Sequence, residues 1–336
     1  MSNLTFAFTD VPAAGARMEV VPGIDWIRLP LPFALDHVNC WYLHDNINTC
    51  MVDTGLHTTA SLECWDNIIK ETGWPQKLLV THFHPDHSGL AGWFAEHGTQ
   101  VLSSEIEWAI VERLNATATG DFQQFYAQWY NQHGVSQEYI DAVNVAGNTY
   151  TAKTVPPPNH CEFLSAGDSI ELGGRQYEVM CGQGHSPDML MLFCRADKLL
   201  IAADQVLPSI TPNISLLPNA DDPNPLDSFL ACLERLTMLP EETLVLPSHG
   251  LPFTGLHQRI AYLTEHHRLR LSEIQQALGT SRCAADLFSL LFRRKLDHQQ
   301  LSFALGETLA HLRYLENQSL VTRTEQNGVI YFRAIN

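Results

Sequence analysis

Residues 81 to 87 read Thr-His-Phe-His-Pro-Asp-His, which places four potential metal ligands, His82, His84, Asp86 and His87, within six positions. They follow a short apolar run, Lys77-Leu-Leu-Val80, that reads as a buried strand. At an extended strand end His82 and His84 point to the same side, because side chains alternate with a period of two. Pro85 suits the first turn of a helix, where its missing N–H is not needed. Asp86 and His87 then fall on an opening turn that folds back toward the two histidines. Such a strand–loop–helix corner can aim all four at one point, or at two neighbouring points. Zinc, iron and manganese all accept imidazole and carboxylate ligands.

The alternative is a polar turn with chance histidines, in a chain that holds 16 of them. The rest of the chain weighs against it. His185 lies in Gly182-Gln-Gly-His-Ser-Pro187, a loop after the strand Gln176–Cys181. Asp204 ends the apolar run Lys198-Leu-Leu-Ile-Ala-Ala-Asp204, and His249 ends Thr243-Leu-Val-Leu-Pro-Ser-His249. Three further strands each deliver one ligand-type residue at the C-terminal end, making seven in all.

In this order of motifs the chain resembles the metallo-β-lactamase-fold hydrolases. The resemblance rests on the His-x-His-x-Asp-His run, on His185, Asp204 and His249, and on Val52-Asp-Thr-Gly55, and it spans roughly residues 20 to 275. It implies an α/β fold: a four-layer αβ/βα sandwich, with two central sheets, helices outside and metals at one sheet edge. It further implies a first metal on His82, His84 and His185, a second on Asp86, His87 and His249, and Asp204 as the bridge. Two cations about 3.5–4 Å apart can share a water, lower its pKa toward ~7 and polarise a carbonyl or phosphoryl oxygen. Asp86 would orient the bridging hydroxide and take up a proton. Asp53 would accept a hydrogen bond from a metal-binding histidine; the alternative is a turn carboxylate capping local N–H groups. Zinc is the default for both ions in so histidine-rich a site, with iron and manganese tolerating the same ligands.

Composition narrows the function classes. A chain of 336 residues has room for one large domain and a small appendage. No stretch of about 18 apolar residues occurs, so no transmembrane helix is expected, and the first residues lack the basic-then-apolar pattern of a secretory signal. The eight cysteines contain no Cys-x-x-Cys pair and read as reduced, mostly buried thiols of a cytoplasmic protein. A net charge of −17 argues against a nucleic-acid partner for the body of the molecule.

That charge is uneven. Residues 279–336 carry seven Lys/Arg against five Asp/Glu, whereas the preceding residues carry 13 against 32. This separates a tail, 279–336, from a catalytic domain, 1–278. The tail's pattern reads helix (Cys283–Arg293), helix (Leu301–Gln318) and a hairpin turning at Asn327-Gly328, which resembles a winged-helix-like domain. A similar appendage occurs on some members of the same superfamily, including an endoribonuclease. Arg293-Arg-Lys295 would grip nucleic acid in one reading, and the tail would pack on the catalytic domain or a partner subunit in the other. The weak excess of positive charge favours packing.

A helical insertion is expected over about 105–160, since a minimal fold would not need these residues. Within it Phe122, Phe125, Tyr126, Trp129 and Tyr130 recur at helical spacing. They form either a core stripe or a wall over the metals that admits an apolar or acyl group. The long helix Leu256–Leu278 carries His257, His266 and His267, read as surface or packing histidines.

The zinc β-lactamases of the family fit poorly, because they lack a carboxylate at the place of Asp204 and are exported. Asp204 groups the chain with thioester hydrolases of the glyoxalase II type, lactonases and phosphodiesterases. The expected function is a dinuclear metal hydrolase acting on a small acyl compound, a thioester or lactone. The alternative is an endoribonuclease or phosphodiesterase holding nucleic acid with its tail. A binding protein with a vestigial site is disfavoured by the complete ligand set. The sequence leaves a homo-oligomer open.

Overall fold

The computed structural model describes residues 4–117, 119–218, 220–292, 296 and 298–335. Two seven-stranded sheets stand face to face. The first runs, in spatial order, Arg17–Val21, Ile24–Pro30, His37–His44, Thr49–Val52, Lys77–Leu79, Gln100–Ser103 and Glu162–Phe163. Its first four strands pair antiparallel and the remainder parallel. The second runs Thr5–Phe6, Phe253–Thr254, Leu244–Pro247, Leu199–Ala203, Met189–Cys194, Arg175–Gly182 and Ser169–Leu172. It is antiparallel except where Leu199–Ala203 meets Leu244–Pro247.

Period-two alternation sends successive residues of the central strands to opposite faces, both of them covered, so strands such as Met189–Cys194 and Leu199–Ala203 are apolar along their whole length. Trp41, Leu43, Cys50, Val52 and Leu79 face the second sheet, where they meet Leu190, Leu192, Ile201 and Leu246. Their neighbours Cys40, Tyr42, Met51 and Leu78 face outward onto the helices Thr59–Thr72, Ala91–Glu96 and Glu105–Ala116. Met191, Phe193, Leu200 and Val245 do the same on the other side, under Pro225–Leu236 and Leu256–Ala277. A strand covered on both faces has no polar side to show. The four-layer sandwich expected from the sequence is therefore present.

A small C-terminal domain follows: a 3₁₀ turn at Ala285–Leu287, a one-turn helix at Phe288–Leu291, the helix His298–Asn317 and the hairpin Val321–Gln326 with Val329–Ala334. The hairpin turns on Asn327 (φ 53°) and Gly328 (φ 78°), the two positive angles that a tight two-residue turn demands. The first tail helix is shorter than Cys283–Arg293, and Leu290 stays exposed while Leu287 and Leu291 are buried. Arg293, Arg294 and Lys295, the candidate nucleic-acid contacts, lie outside the described residues.

The tail does not own its core. Leu287, Leu305, Leu309, Leu312 and Phe332 form one apolar cluster with Ile274 and Leu278 of the long helix and with Trp129, Tyr130, Tyr139 and Ile140 of the insertion. The insertion itself is three helices, Glu105–Ala116, Thr119–Gln132 and Gln137–Ala146. Its aromatic stripe divides: Trp129 and Tyr130 are buried in this shared cluster, while Phe125 is 39% exposed. The side chain of Phe122 lies outside the described residues. All eight cysteines are free of disulfides, and all but Cys181 are buried. No helix among the described residues is long and apolar enough to cross a membrane.

Candidate metal centre

Each of the seven sequence-predicted ligands sits just past a strand end on the same rim of the sandwich. His82 follows Lys77–Leu79, His185 follows Arg175–Gly182, Asp204 follows Leu199–Ala203, and His249 follows Leu244–Pro247. The strand Lys77–Leu79 stops earlier than expected, so residues 80–84 reach the site as a loop bent at 82–84 rather than by the pleat. Pro85 opens the short helix Pro85–Ser88, which carries Asp86 and His87.

The side chains converge as two sets. His82, His84, His185 and Asp204 form one group able to hold a metal ion, and Asp86, His87 and His249 form another. In the first, His84 Nδ1 lies 2.9 Å from His82 Nε2 and 3.0 Å from His185 Nε2. In the second, Asp86 Oδ2 lies 3.6 Å from both His87 Nε2 and His249 Nε2. Asp204 spans the two, with Oδ2 3.4 Å from His185 Nε2 and 3.7 Å from His87 Nε2, and Oδ1 3.4 Å from His249 Nε2. Ligands about 2 Å from a tetrahedral ion lie roughly 3.3 Å from one another, the spacing seen here.

Four of the five imidazoles are anchored through the nitrogen that faces away from the centre. His82 Nδ1 meets Thr81 Oγ1 at 3.0 Å, and His87 Nδ1 meets Asp53 Oδ2 at 2.8 Å. His185 Nδ1 donates to the Asn213 carbonyl at 2.8 Å and His249 Nδ1 to the His37 carbonyl at 2.7 Å. A proton fixed on Nδ1 leaves the Nε2 lone pair free for a metal. Two of the inward-facing atoms, His87 Nε2 and Asp204 Oδ1, are buried without a hydrogen-bond partner. A buried polar atom left so is costly, and a divalent cation is the partner that both atoms fit.

The electrostatics differ between the sets. Burial, reinforced by the neighbouring imidazoles, holds His82 and His84 well below the usual histidine pKa, in the neutral form a metal requires. Burial also opposes the charged form of His87, yet Asp86, Asp53 and Asp204 outweigh it and raise its pKa well above the ordinary value. His249 shifts upward for the same reason, with Asp204 foremost among the carboxylates. Burial works against the Asp204 carboxylate, but His249 and His87 overcome it and keep its pKa far down. The second set is thus rich in negative charge that a cation would neutralise.

Two backbone outliers mark the rim. Asp53 (φ 63°) and Ala203 (φ 45°) occupy the left-handed region, which costs a non-glycine residue free energy and is tolerated where structure around it compensates. Asp53 is the residue that receives His87, and it also accepts from Thr81 N at 2.8 Å and Thr81 Oγ1 at 2.9 Å. Ala203 turns the chain immediately before Asp204. Gly184, next to His185, has φ +95°, and a Cβ there would come within 2.4 Å of Phe229 Cβ and of the Pro225 carbonyl oxygen. No other residue fits that position without displacing the loop.

Sequence reasoning missed several supports. Glu107 is fully buried and accepts from Phe83 N at 3.0 Å and Asp188 N at 2.7 Å, tying the loop of His82 and His84 to that of His185. Burial pushes its pKa up to about 7 against the pull of those N–H groups. Its only sequence signal is Ser104-x-x-Glu107, the pattern of a helix capping box. Ser104 Oγ does accept from Glu107 N at 3.2 Å, but the carboxylate turns away toward the two loops instead of capping its own helix. Tyr150 donates to the Phe83 carbonyl at 2.6 Å. Asn39 Nδ2 donates to the Pro247 and Gly250 carbonyls, bracketing His249. Among the long-helix histidines, His257 bonds the Leu239 carbonyl and His267 is buried against His311, so both serve packing.

A cavity of about 810 Å³ opens from the metal centre, with His84 and His185 in its wall. Its lining is mostly apolar, with Ile110, Leu114, Phe125, Tyr126 and Val143 from the insertion and Phe303 from the C-terminal helix.

The family model described as Metallo-beta-lactamase superfamily matches residues 34–249, and a second, described as Metallo-beta-lactamase-like, C-terminal domain, matches residues 271–335. Among curated proteins, the probable metallo-hydrolase YqjP of Bacillus subtilis is 23% identical, over 92% of this chain and 97% of that protein. The acyl-coenzyme A thioesterase MBLAC2 of Homo sapiens is 27% identical over 70% of this chain and 80% of its own. Among solved structures, a beta-lactamase domain protein from Burkholderia ambifaria superposes with a TM-score of 0.90 at 36% identity, covering 99% of this chain and 98% of that one. The metallo-beta-lactamase family protein TTHA1429 from Thermus thermophilus gives 0.82 at 27% identity, over 94% of this chain and 100% of that one.

Proposed function

The chain belongs to the metallo-beta-lactamase superfamily of hydrolases, and from that premise we propose that it cleaves acyl thioesters at a dinuclear centre, with lactones as the nearest alternative substrates. The observation that carries this reading is the apolar cavity joined directly to His84 and His185. A phosphodiester or nucleic acid would need cationic walls, whereas the one guanidinium in this lining among the described residues, Arg113, is already paired with Asp221 at 2.9 Å. The thioesterase among the relatives supports the same direction.

His82, His84 and His185 would hold one ion, Asp86, His87 and His249 the other, and Asp204 would bridge them. When bound, two divalent ions, zinc by default, supply an acidified water and polarise the substrate carbonyl. The remaining work falls to the chain. Asp86, partly exposed between the two second-set imidazoles, takes the proton released as water adds to the carbonyl and returns one to the departing sulfur. The products are a carboxylic acid and a thiol. Asp53 keeps the His87 proton on Nδ1 throughout, and Glu107 keeps the two ligand loops in register. The C-terminal domain, winged-helix-like in its helix–hairpin order, acts by packing. Eight unpaired cysteines suit a reducing compartment such as the cytoplasm.

The test is a hydrolysis panel on purified, metal-loaded protein covering acyl thioesters, lactones, phosphodiesters and RNA. Thioester turnover should lead, vanish on chelation and return with added metal. Faster cleavage of phosphodiesters or RNA than of any thioester would overturn the reading.

A further inference from the structure

We propose that the cavity is an acyl-chain pocket whose outer wall is supplied by the C-terminal domain, so that this domain sets which chain lengths the enzyme accepts; the inference rests on the thioester reading above.

The pocket begins at the metal centre and ends at the tail. Its inner wall carries His84 and His185, and its outer wall carries Ser302 and Phe303 from the helix His298–Asn317. Tyr130 of the insertion closes the gap between them: its hydroxyl lies 3.0 Å from Ser302 Oγ, while its ring is buried in the cluster shared with the tail. Phe125 and Phe303 line the pocket yet are 39% and 57% exposed, which places them where it meets solvent. Large apolar side chains held at a cavity mouth are well suited to an apolar ligand that threads past them.

The next turn of the same helix reaches the segment that orients His185. Leu216 N donates to the Gly306 carbonyl at 3.0 Å, and Asn213 Nδ2 lies 3.4 Å from Glu307 Oε2. Asn213 is the residue whose carbonyl receives His185. Gly306 permits this approach, since a Cβ there would stand 2.6 Å from Ser215 Oγ. One helix therefore walls the pocket and steadies the segment that orients a ligand.

Charge decides which half of the thioester enters. Asp121, Asp221 and Asp222 line the pocket against Arg113, and Arg113 is committed to Asp221. A thiol half bearing phosphates would be repelled there, whereas an alkyl chain is indifferent to the rim and gains by burial. The pocket thus takes the acyl half.

The experiment uses the full-length, metal-loaded protein and acetyl, butyryl, octanoyl, dodecanoyl and palmitoyl thioesters of the small uncharged thiol N-acetylcysteamine. In the wild type, kcat/KM should climb with each added pair of methylenes, by roughly tenfold or more, until the pocket is full. Ala142→Trp fills the pocket from the insertion side, and should cut the dodecanoyl-to-acetyl ratio by about tenfold or more. Phe303→Ala, at an exposed position that tolerates substitution, should shift the preferred length upward. Calorimetric titration with dodecanoate reads the pocket without turnover: the wild type should bind it and Ala142→Trp should not. Thioester turnover with a length profile that neither variant moves would overturn the pocket while leaving the thioester reading intact. Dodecanoate binding lost in Ala142→Trp, with no thioester turnover by the wild type, would support the pocket and overturn the reaction. Neither binding nor turnover would sink both.

Discussion

The two ends of the cavity are built in opposite ways. At the metal end, seven polar side chains come from four short motifs, and four of the five imidazoles are held by a hydrogen bond on the far nitrogen. At the other end, apolar side chains arrive from the insertion and the tail, far apart in sequence, and one hydroxyl pair, Tyr130 with Ser302, joins them. The first arrangement fixes atoms to within fractions of an ångström, as acid–base and metal chemistry demand. The second tolerates substitution by volume, as recognition of an alkyl chain demands. Chemistry and specificity can then vary independently in this fold, which is a claim that mutations can break.

The largest effect is expected at Asp204. Asp204→Ala removes the one carboxylate that faces both ligand sets, so turnover should fall by on the order of a thousandfold or more. Elemental analysis should find two equivalents of metal in the wild type and at most one in the variant. Pocket variants should keep both. Loss of metal from Ala142→Trp or Phe303→Ala would mean that the two ends are not separable.

Next comes Asp86→Asn, which keeps the size and one oxygen while removing the charge. If Asp86 moves the proton, turnover should drop by about a hundredfold or more, the range of a general acid–base group. The first-set ion should remain. Near-normal turnover would assign the proton to another group.

Glu107 sharpens the contrast, because it belongs to the insertion and yet serves the metal end. Glu107→Ala leaves Phe83 N and Asp188 N without their acceptor, and should weaken metal affinity or kcat by about tenfold to a hundredfold. Glu107→Gln retains an acceptor oxygen and should recover part of the loss, with KM for the thioester little changed. Equal losses in kcat and stability for both variants, with unchanged metal affinity, would reduce Glu107 to a structural support.

Glu107 also shows where sequence reading stops. The convergence of His82 through His249 into two groups that could hold a metal was legible because ligand chemistry restricts residue type and strand ends restrict placement. Asp53 was legible only through the family resemblance, because a turn carboxylate capping local N–H groups fits the same Asp-Thr-Gly stretch. The four layers were legible because strands buried on both faces must be apolar throughout. Glu107 gives no such signal: its helix start is satisfied by Ser104, and its real partners lie 24 and 81 positions away. The aromatic stripe was visible as helical periodicity, but whether a ring faces core or cavity depends on what packs across from it. For Tyr130 that partner is the C-terminal helix, where Ser302 lies 172 positions away.

The smallest effect concerns the helix that walls the pocket, at Glu307, which meets the Asn213 segment. Burial raises the Glu307 pKa to about 7, against the pull of Arg270 and the Asn213 hydrogen bond. Its unfolded value is 4.5, so between about pH 4.5 and 7 the folded chain binds more of this proton than the unfolded chain does. Stability from this group is therefore full below the window and falls as pH rises through it. Glu307→Gln mimics the protonated form and removes the titration. Urea melts of the metal-loaded wild type and variant should give the variant its greatest relative advantage above pH 7, shrinking as pH falls through the window and smallest below about 4.5. Because Glu107 and the metal ligands titrate identically in both proteins, subtraction isolates Glu307. Variant and wild type differing by a constant amount across that range would show that folding leaves the Glu307 pKa at its unfolded value, so that the side chain is ionised at neutral pH. The tail would then meet the Asn213 loop through a charged contact, and the pocket end would depend on charge as the metal end does.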